Sequence, residues 1–172
     1  MNLFFSITQN KKYKHENVYK FFLRGITMKA KDCMCNSVVW LNPDSSVSEC
    51  ARLMDEQHVG SVPVCDQNQN VVGLVTDRDI LLRAVATNKD INNTKLSEIM
   101  TTKVCCCDAN NDIEQVTKLM SENQVRRIPV IDKNKIVGML TLTDLSRSEE
   151  VSDFKFATTY DNICNYNRKN NC

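Results

Sequence analysis

Between Met28 and Glu150 the chain holds one aromatic residue, Trp40, although the whole sequence contains 6 Phe, 4 Tyr and 1 Trp. That stretch carries 14 basic and 18 acidic residues. An acidic segment without stacking rings lacks the features by which proteins hold nucleic acid. No apolar run approaches the roughly 18–20 residues that span a bilayer. The run at Leu3–Ile7 is too short for a secretory signal, and Lys11, Lys12 and Lys14 follow it closely. Catalytic motifs are missing as well. There is no G-x-x-x-x-G-K-[ST] phosphate loop, no H-E-x-x-H and no Ser/His/Asp order in motif context. These absences predict a soluble, cytoplasmic, non-catalytic protein that contacts neither nucleic acid nor membrane.

The formal charge of +1 is a sum of unlike segments. Residues 1–27 have five basic residues and one acidic, and residues 151–172 have three and two. The middle is net acidic, at −4. Nine cysteines in a chain expected in the cytosol imply reduced thiols. Neither Cys33-x-Cys35 nor Cys105-Cys106-Cys107 has the two spaced knuckles of a tetrahedral zinc site, and only His15 and His58 could add imidazoles. Small buried hydrophobes are the expected role, with no metal site.

An internal repeat organises the middle. Residues 47–80 align with 113–145 with one deletion, and 12 of the 33 aligned pairs are identical. The offset of 66 extends upstream, matching Met34 to Met100 and Val38 to Val104. Each copy reads as a strand (Val38–Leu41; Val104–Cys107), a helix, two strands (Ser61–Cys65 and Val71–Thr76; Arg127–Ile131 and Ile136–Thr141) and a helix from Asp77 or Leu142. Ser46-x-x-Glu49 fits a capping box. Val47, Cys50, Ala51 and Met54 form one apolar stripe, which Ile113, Val116, Leu119 and Met120 repeat. The cysteine triplet replaces Val39, Trp40 and Leu41, which favours packing over ligation.

The paired V-P-V-x-D and V-G-x-x-T-x-x-D patterns and the preceding L-M helix resemble tandem cystathionine β-synthase (CBS) domains over roughly residues 29–146. The resemblance implies an α/β (α+β) fold of two β-α-β-β-α repeats packed about a pseudo-two-fold axis. The expected divisions are a leader at 1–27, repeats at 28–97 and 98–150, and a partly disordered tail at 151–172. It further implies a homodimer, a separate regulated protein as partner, and an adenosine nucleotide (AMP, ADP, ATP or S-adenosylmethionine) as regulatory ligand, with no cofactor required. The alternatives are a ligand-free dimerisation scaffold and a thiol or metal sensor.

Thr76-x-x-Asp79 and Thr141-x-x-Asp144 are open to two readings. Both fit helix caps, since Thr accepts a backbone N–H and Asp suits the positive helix end. The resemblance makes the same residues contacts for ribose and phosphate, and Gly73 and Gly138 would then let another backbone or a ligand approach. Arg126 and Arg127 replace Gly60 and Ser61 of the first copy. Adjacent strand residues point to opposite faces, so at most one should enter a common cleft and anchor phosphate, the alternative being two solvated charges. The sites should therefore be unequal, with a phosphate-rich ligand held mainly through the second copy. Val62-Pro63 and Ile128-Pro129 are expected as an apolar wall near adenine, or as core. His58 is expected to end a helix.

Met28 stands immediately before the repeat. The compositional break predicts it as the biological start, with 1–27 an upstream extension of the reading frame.

Overall fold

The computed structural model describes residues 28–147, 151 and 153–164. The expectations for the leader and for the end of the tail lie outside these residues. In the first repeat, helix α1 (Ala30–Cys33) precedes α2 (Val47–Glu56), strands β1 (Ser61–Cys65) and β2 (Val71–Thr76), and α3 (Asp77–Ile80). Helix α3 runs on into a π turn at Leu81–Val85. After a 3-10 turn at Leu96–Glu98, the second repeat adds β3 (Cys107–Asp108), α4 (Ile113–Asn123), β4 (Arg127–Asp132), β5 (Lys135–Thr141) and α5 (Leu142–Ser146). A further helix, α6 (Asp153–Cys164), follows where the sequence suggested no element.

The helix starts are chemically explicit. Ser46 Oγ accepts from Glu49 N at 3.1 Å, while Ser46 N donates to the Glu49 carboxylate at 2.8 Å. On α2, Val47, Cys50 and Met54 are buried; on α4, Ile113, Val116 and Met120 are. The β1–β2 and β4–β5 hairpins pair antiparallel in matching registers, Val62 opposite Val75 and Ile128 opposite Leu140.

The leading strand of each repeat is shorter than the apolar runs suggest. Residues 38–41 reduce to a parallel bridge between Leu41 and Val64, and 104–107 to the two residues of β3. Proline explains the truncation. Leu41 N donates to Pro63 O at 3.1 Å and Cys65 N donates to Leu41 O at 2.8 Å. The next rung toward the N-terminus would need an N–H from residue 63, which proline lacks. Pro129 occupies the same place beside β3, whose Cys107 pairs with Val130. Val38–Val39 and Val104–Cys105 are thereby left free of the sheet.

The hydrophobic clusters do not follow the chain boundary at 97/98. Leu96 and Ile99 pack with Val47, Cys50, Val62, Val64 and Val75 of the first repeat, whereas Ala30, Cys33 and Met34 pack against the second. Each leading segment also completes the other copy's sheet. Cys35 and Met139 exchange backbone hydrogen bonds at 2.9 and 3.1 Å, and Leu74 and Thr101 do so at 3.0 and 2.9 Å.

The glycines belong to this crossing. A Cβ on Gly138 would lie 2.9 Å from Met34 Cγ and 2.8 Å from Cys35 O, and one on Gly73 would lie 2.9 Å from Met100 Cγ. Of the two approaches expected there, a backbone comes close at Gly138 through Cys35 O, and the remaining space at both glycines is filled by methionine and not by a ligand. Gly138→Ala is expected to cost about 1–3 kcal/mol by overpacking. Gly73→Ala should cost less, because its neighbour is a flexible side chain rather than a carbonyl. Urea unfolding of the two variants measures the difference.

Candidate functional site

Two clefts are built from equivalent residues. The first, about 470 Å³, is lined by Leu74, Thr76 and Asp79, by Thr101–Cys105 without residue 102, and by Gln124–Arg127. The second, about 570 Å³, is lined by Met139, Thr141 and Asp144, by Cys35 and Ser37–Val39, and by His58–Ser61. The repeat offset carries Cys35 to Thr101, Ser37 to Lys103, His58 to Gln124 and Leu74 to Met139. Both volumes suit a nucleoside-sized ligand.

Local chain chemistry aims these residues. His58 and Gln124 both adopt left-handed φ values, 53° and 54°, just past the ends of α2 and α4. Val59 N then reaches Met54 O at 2.9 Å, and Val125 N reaches Met120 O at 3.0 Å, turning residues 59–60 and 125–126 toward the clefts. The helix-end role expected for His58 is what the backbone shows.

The Thr/Asp pairs are closed capping boxes. Asp79 Oδ2 accepts from Thr76 N at 2.9 Å and Thr76 Oγ1 at 2.7 Å; Asp144 Oδ2 accepts from Thr141 N at 2.8 Å and Thr141 Oγ1 at 2.7 Å. The other oxygens differ. Asp79 Oδ1 pairs with Arg83 at 3.2 Å. Among the described residues no cation pairs with Asp144, so its Oδ1 is the acceptor available in the second cleft.

Arg126 and Arg127 each line both clefts, which corrects the expectation that only one could enter a common space. Strand alternation does not govern them together, because β4 begins at Arg127 and Arg126 belongs to the preceding turn. Gly60 makes room for the pair across the pseudo-axis. A Cβ there would meet Arg127 Nη1 at 3.2 Å and Asp77 Oδ2 at 3.1 Å. Lys103 and Arg78 add positive charge to the first cleft, where the second has Ser37 and Thr143.

The expected apolar wall is relocated. Val62 and Ile128 are wholly buried in the two hydrophobic clusters, so they face the core and not a cleft. Two-residue alternation puts their partners on the opposite face. Pro63 lines the second cleft, while Leu74 and Met139 supply strand walls that the motif did not single out. Pro129 lines neither of the two clefts. The repeat offset alone could have found Leu74 and Met139; Tyr160 and Ile163, on α6, had no such signal.

The cysteines behave as apolar groups. Burial pushes Cys50 and Cys107 up to about 12 and Cys65 and Cys106 up to about 11. Cys105 is raised too, by burial. Among the described residues no group of three or more His, Cys, Asp or Glu side chains could hold a metal ion. Raised thiol pKa values suppress the thiolate that both ligation and alkylation need. With iodoacetamide at pH 8, exposed Cys35 should be modified in the folded protein while Cys50 and Cys107 remain unmodified until urea unfolds it. Peptide mass spectrometry reads the order, and early labelling of Cys107 would contradict this account.

Two β-α-β-β-α copies about a pseudo-two-fold, with a ligand-sized cleft on each side, define a paired-repeat binding module. The family model described as "CBS domain" matches residues 30–86 and 96–150. The chain belongs to the CBS-domain family. It is 38% identical over 116 residues to the CBS domain-containing protein YhcV of Bacillus subtilis, covering 67% of this chain and 81% of that protein. It is 32% identical to hypoxic response protein 1 of Mycobacterium tuberculosis, covering 69% of this chain and 82% of that one. The crystal structure of Hypoxic Response Protein I with two coordinated zinc ions superposes with a TM-score of 0.66, covering 70% of this chain and 98% of that one. The CBS domain pair of protein MJ0100, in complex with 5'-methylthioadenosine and S-adenosyl-L-methionine, gives 0.64 at 27% identity, with 70% and 94% covered. These matches mark a non-catalytic CBS pair able to bind a ligand. Among the described residues no helix is long and apolar enough to cross a membrane.

Proposed function

We propose that the chain is a cytoplasmic regulatory module that binds adenosine-type nucleotides (AMP, ADP, ATP or S-adenosylmethionine) in its two clefts and signals to a separate protein. The observation that carries this reading is the second cleft. There Asp144, with one carboxylate oxygen unpaired with any cation among the described residues, lines the same space as Arg126 and Arg127. A carboxylate oxygen accepts from ribose hydroxyls, and guanidinium matches phosphate bidentately. The adenosine compounds in the MJ0100 complex fit the same chemistry. In the first cleft Arg83 competes for the equivalent oxygen, while Lys103 and Arg78 favour phosphate. The two sites are therefore unequal. The module acts as a homodimer in this proposal. Leu81 and Val85, 57% and 51% exposed, form an apolar stripe beyond α3, and a second copy of this chain would cover it. In the second repeat the helical face is packed beneath α6.

A ligand-free scaffold is the second reading, favoured by capping boxes that close without any ligand. A metal-sensing role has the zinc of Hypoxic Response Protein I in its favour. It lacks a three-ligand cluster among the described residues here.

Thermal unfolding with AMP, ADP, ATP and S-adenosylmethionine separates the adenosine reading from the other two. Ligand at about a hundred times its dissociation constant should stabilise by roughly 2.7 kcal/mol. Each variant is compared with its own ligand-free transition, since capping is lost too. Asp144→Ala should remove more of the shift than Asp79→Ala. No shift with any of the four compounds, or a shift that survives both substitutions, overturns the adenosine reading. For the dimer, Leu81→Glu with Val85→Glu should yield monomer in sedimentation velocity. A dimer indifferent to both would move the interface elsewhere.

A further inference from the structure

The repeats do not complete the clefts alone. Helix α6 follows the residues matched by the family model, and it lines both clefts, Ile163 in the first and Tyr160 in the second. The two side chains are three residues apart, on one helical face. The helix is seated firmly. Ile163 is buried in the second repeat's hydrophobic cluster, Val151 joins it, and Phe156 packs against it. It rests on α4 and α5.

We propose that Tyr160 is a specificity-determining residue of the Asp144 cleft, presenting its ring to the flat base of the ligand. The proposal rests on the adenosine reading above. Tyr160 is the only Phe, Tyr or Trp among the described residues that line either cleft. One side of the ring leans on Phe156, with centroids 6.3 Å apart and 29° between the planes. The residue is nevertheless 49% exposed. A half-exposed aromatic ring stacked on Phe156 and lining the same cleft as Asp144, Arg126 and Arg127 supplies a phenol ring for stacking, which no repeat residue of that lining offers. The residue that α6 contributes to the first cleft is aliphatic Ile163, so base selectivity belongs to one cleft and charge to the other.

Isothermal titration of the full chain with AMP and with S-adenosylmethionine tests this on wild type, Tyr160→Leu and Tyr160→Phe. Leucine keeps apolar bulk and helix propensity but removes the π face; phenylalanine keeps the face. Tyr160→Leu should weaken one class of site about tenfold, in line with base–aromatic stacking, and leave the other within about twofold. Tyr160→Phe should bind as wild type does, and the ligand-free variants should unfold at the wild-type temperature. Unchanged binding in Tyr160→Leu overturns the role of Tyr160 and leaves the adenosine reading standing. Equal losses in Tyr160→Phe and Tyr160→Leu overturn it too, because the hydroxyl would then be responsible. If wild type binds neither compound, ADP and ATP are titrated in the same way, and binding of none of the four ends the adenosine reading and the stacking role with it.

Discussion

The clefts exist because each repeat's sheet is finished by the segment that leads into the other. Paired backbone hydrogen bonds join Cys35 to Met139 and Thr101 to Leu74. Met34 and Met100 then lie where Gly138 and Gly73 have no side chain. Lys29 reinforces one crossing through Asp112 at 2.6 Å, and the other is held where Val47 N donates to Thr94 O at 3.0 Å. Once these segments are anchored, the following residues have one direction to take. Residues 37–39 and 103–105 run from the edge of one copy's sheet toward the parallel bridge of the other, and so pass along a cleft. Removing either glycine would act on the site through the anchor rather than through any contact with a ligand.

Under the adenosine reading, the residues the motif highlights would serve two ends with the same atoms. Threonine starts a short helix and aspartate closes the cap, so both are fixed in conformation before a ligand arrives. Asp144 is held through one oxygen, which would leave the other preorganised as an acceptor for a ligand at little entropic cost. Asp79 has the same cap but spends its second oxygen on Arg83. An identical motif therefore gives two chemically different sites, and the difference comes from a residue outside the motif. Pairing at 3.2 Å between groups of 47% and 15% side-chain exposure is modest in energy. Its effect is on availability more than on stability.

Much of the architecture was legible in the sequence. The alternating runs at 61–65 and 71–76, the capping box at Ser46 and the helix starts after Thr76 and Thr141 are local features, and the structure has them at those residues. The errors are non-local. Val38–Leu41 looks like a strand by composition, but strand length is decided by the missing N–H of Pro63, a partner remote in sequence. Val62 and Ile128 sit beside the prolines in the motif, yet alternation sends them to the core. Gly73 looked like space for a ligand because its occupant, Met100, lies in the other copy's leading segment. Helix α6 has no counterpart in the repeat, so no internal comparison could place Tyr160 in a cleft.

The arginines show why duplication did not leave two interchangeable sites. Gly60 and Ser61 of one copy share the second cleft with Arg126 and Arg127 of the other, and a side chain at Gly60 would crowd the Arg127 guanidinium. Two arginine pairs would set four like charges around one point, where Asp77 is the carboxylate beside Gly60. With one pair, both clefts draw on the same guanidinium groups. An anion that engages them from one side lowers the positive potential available on the other, and linkage makes that effect reciprocal. The clefts thus share their guanidinium groups and the α6 wall, and under the adenosine reading the occupancy of one would bear on the other through that shared charge.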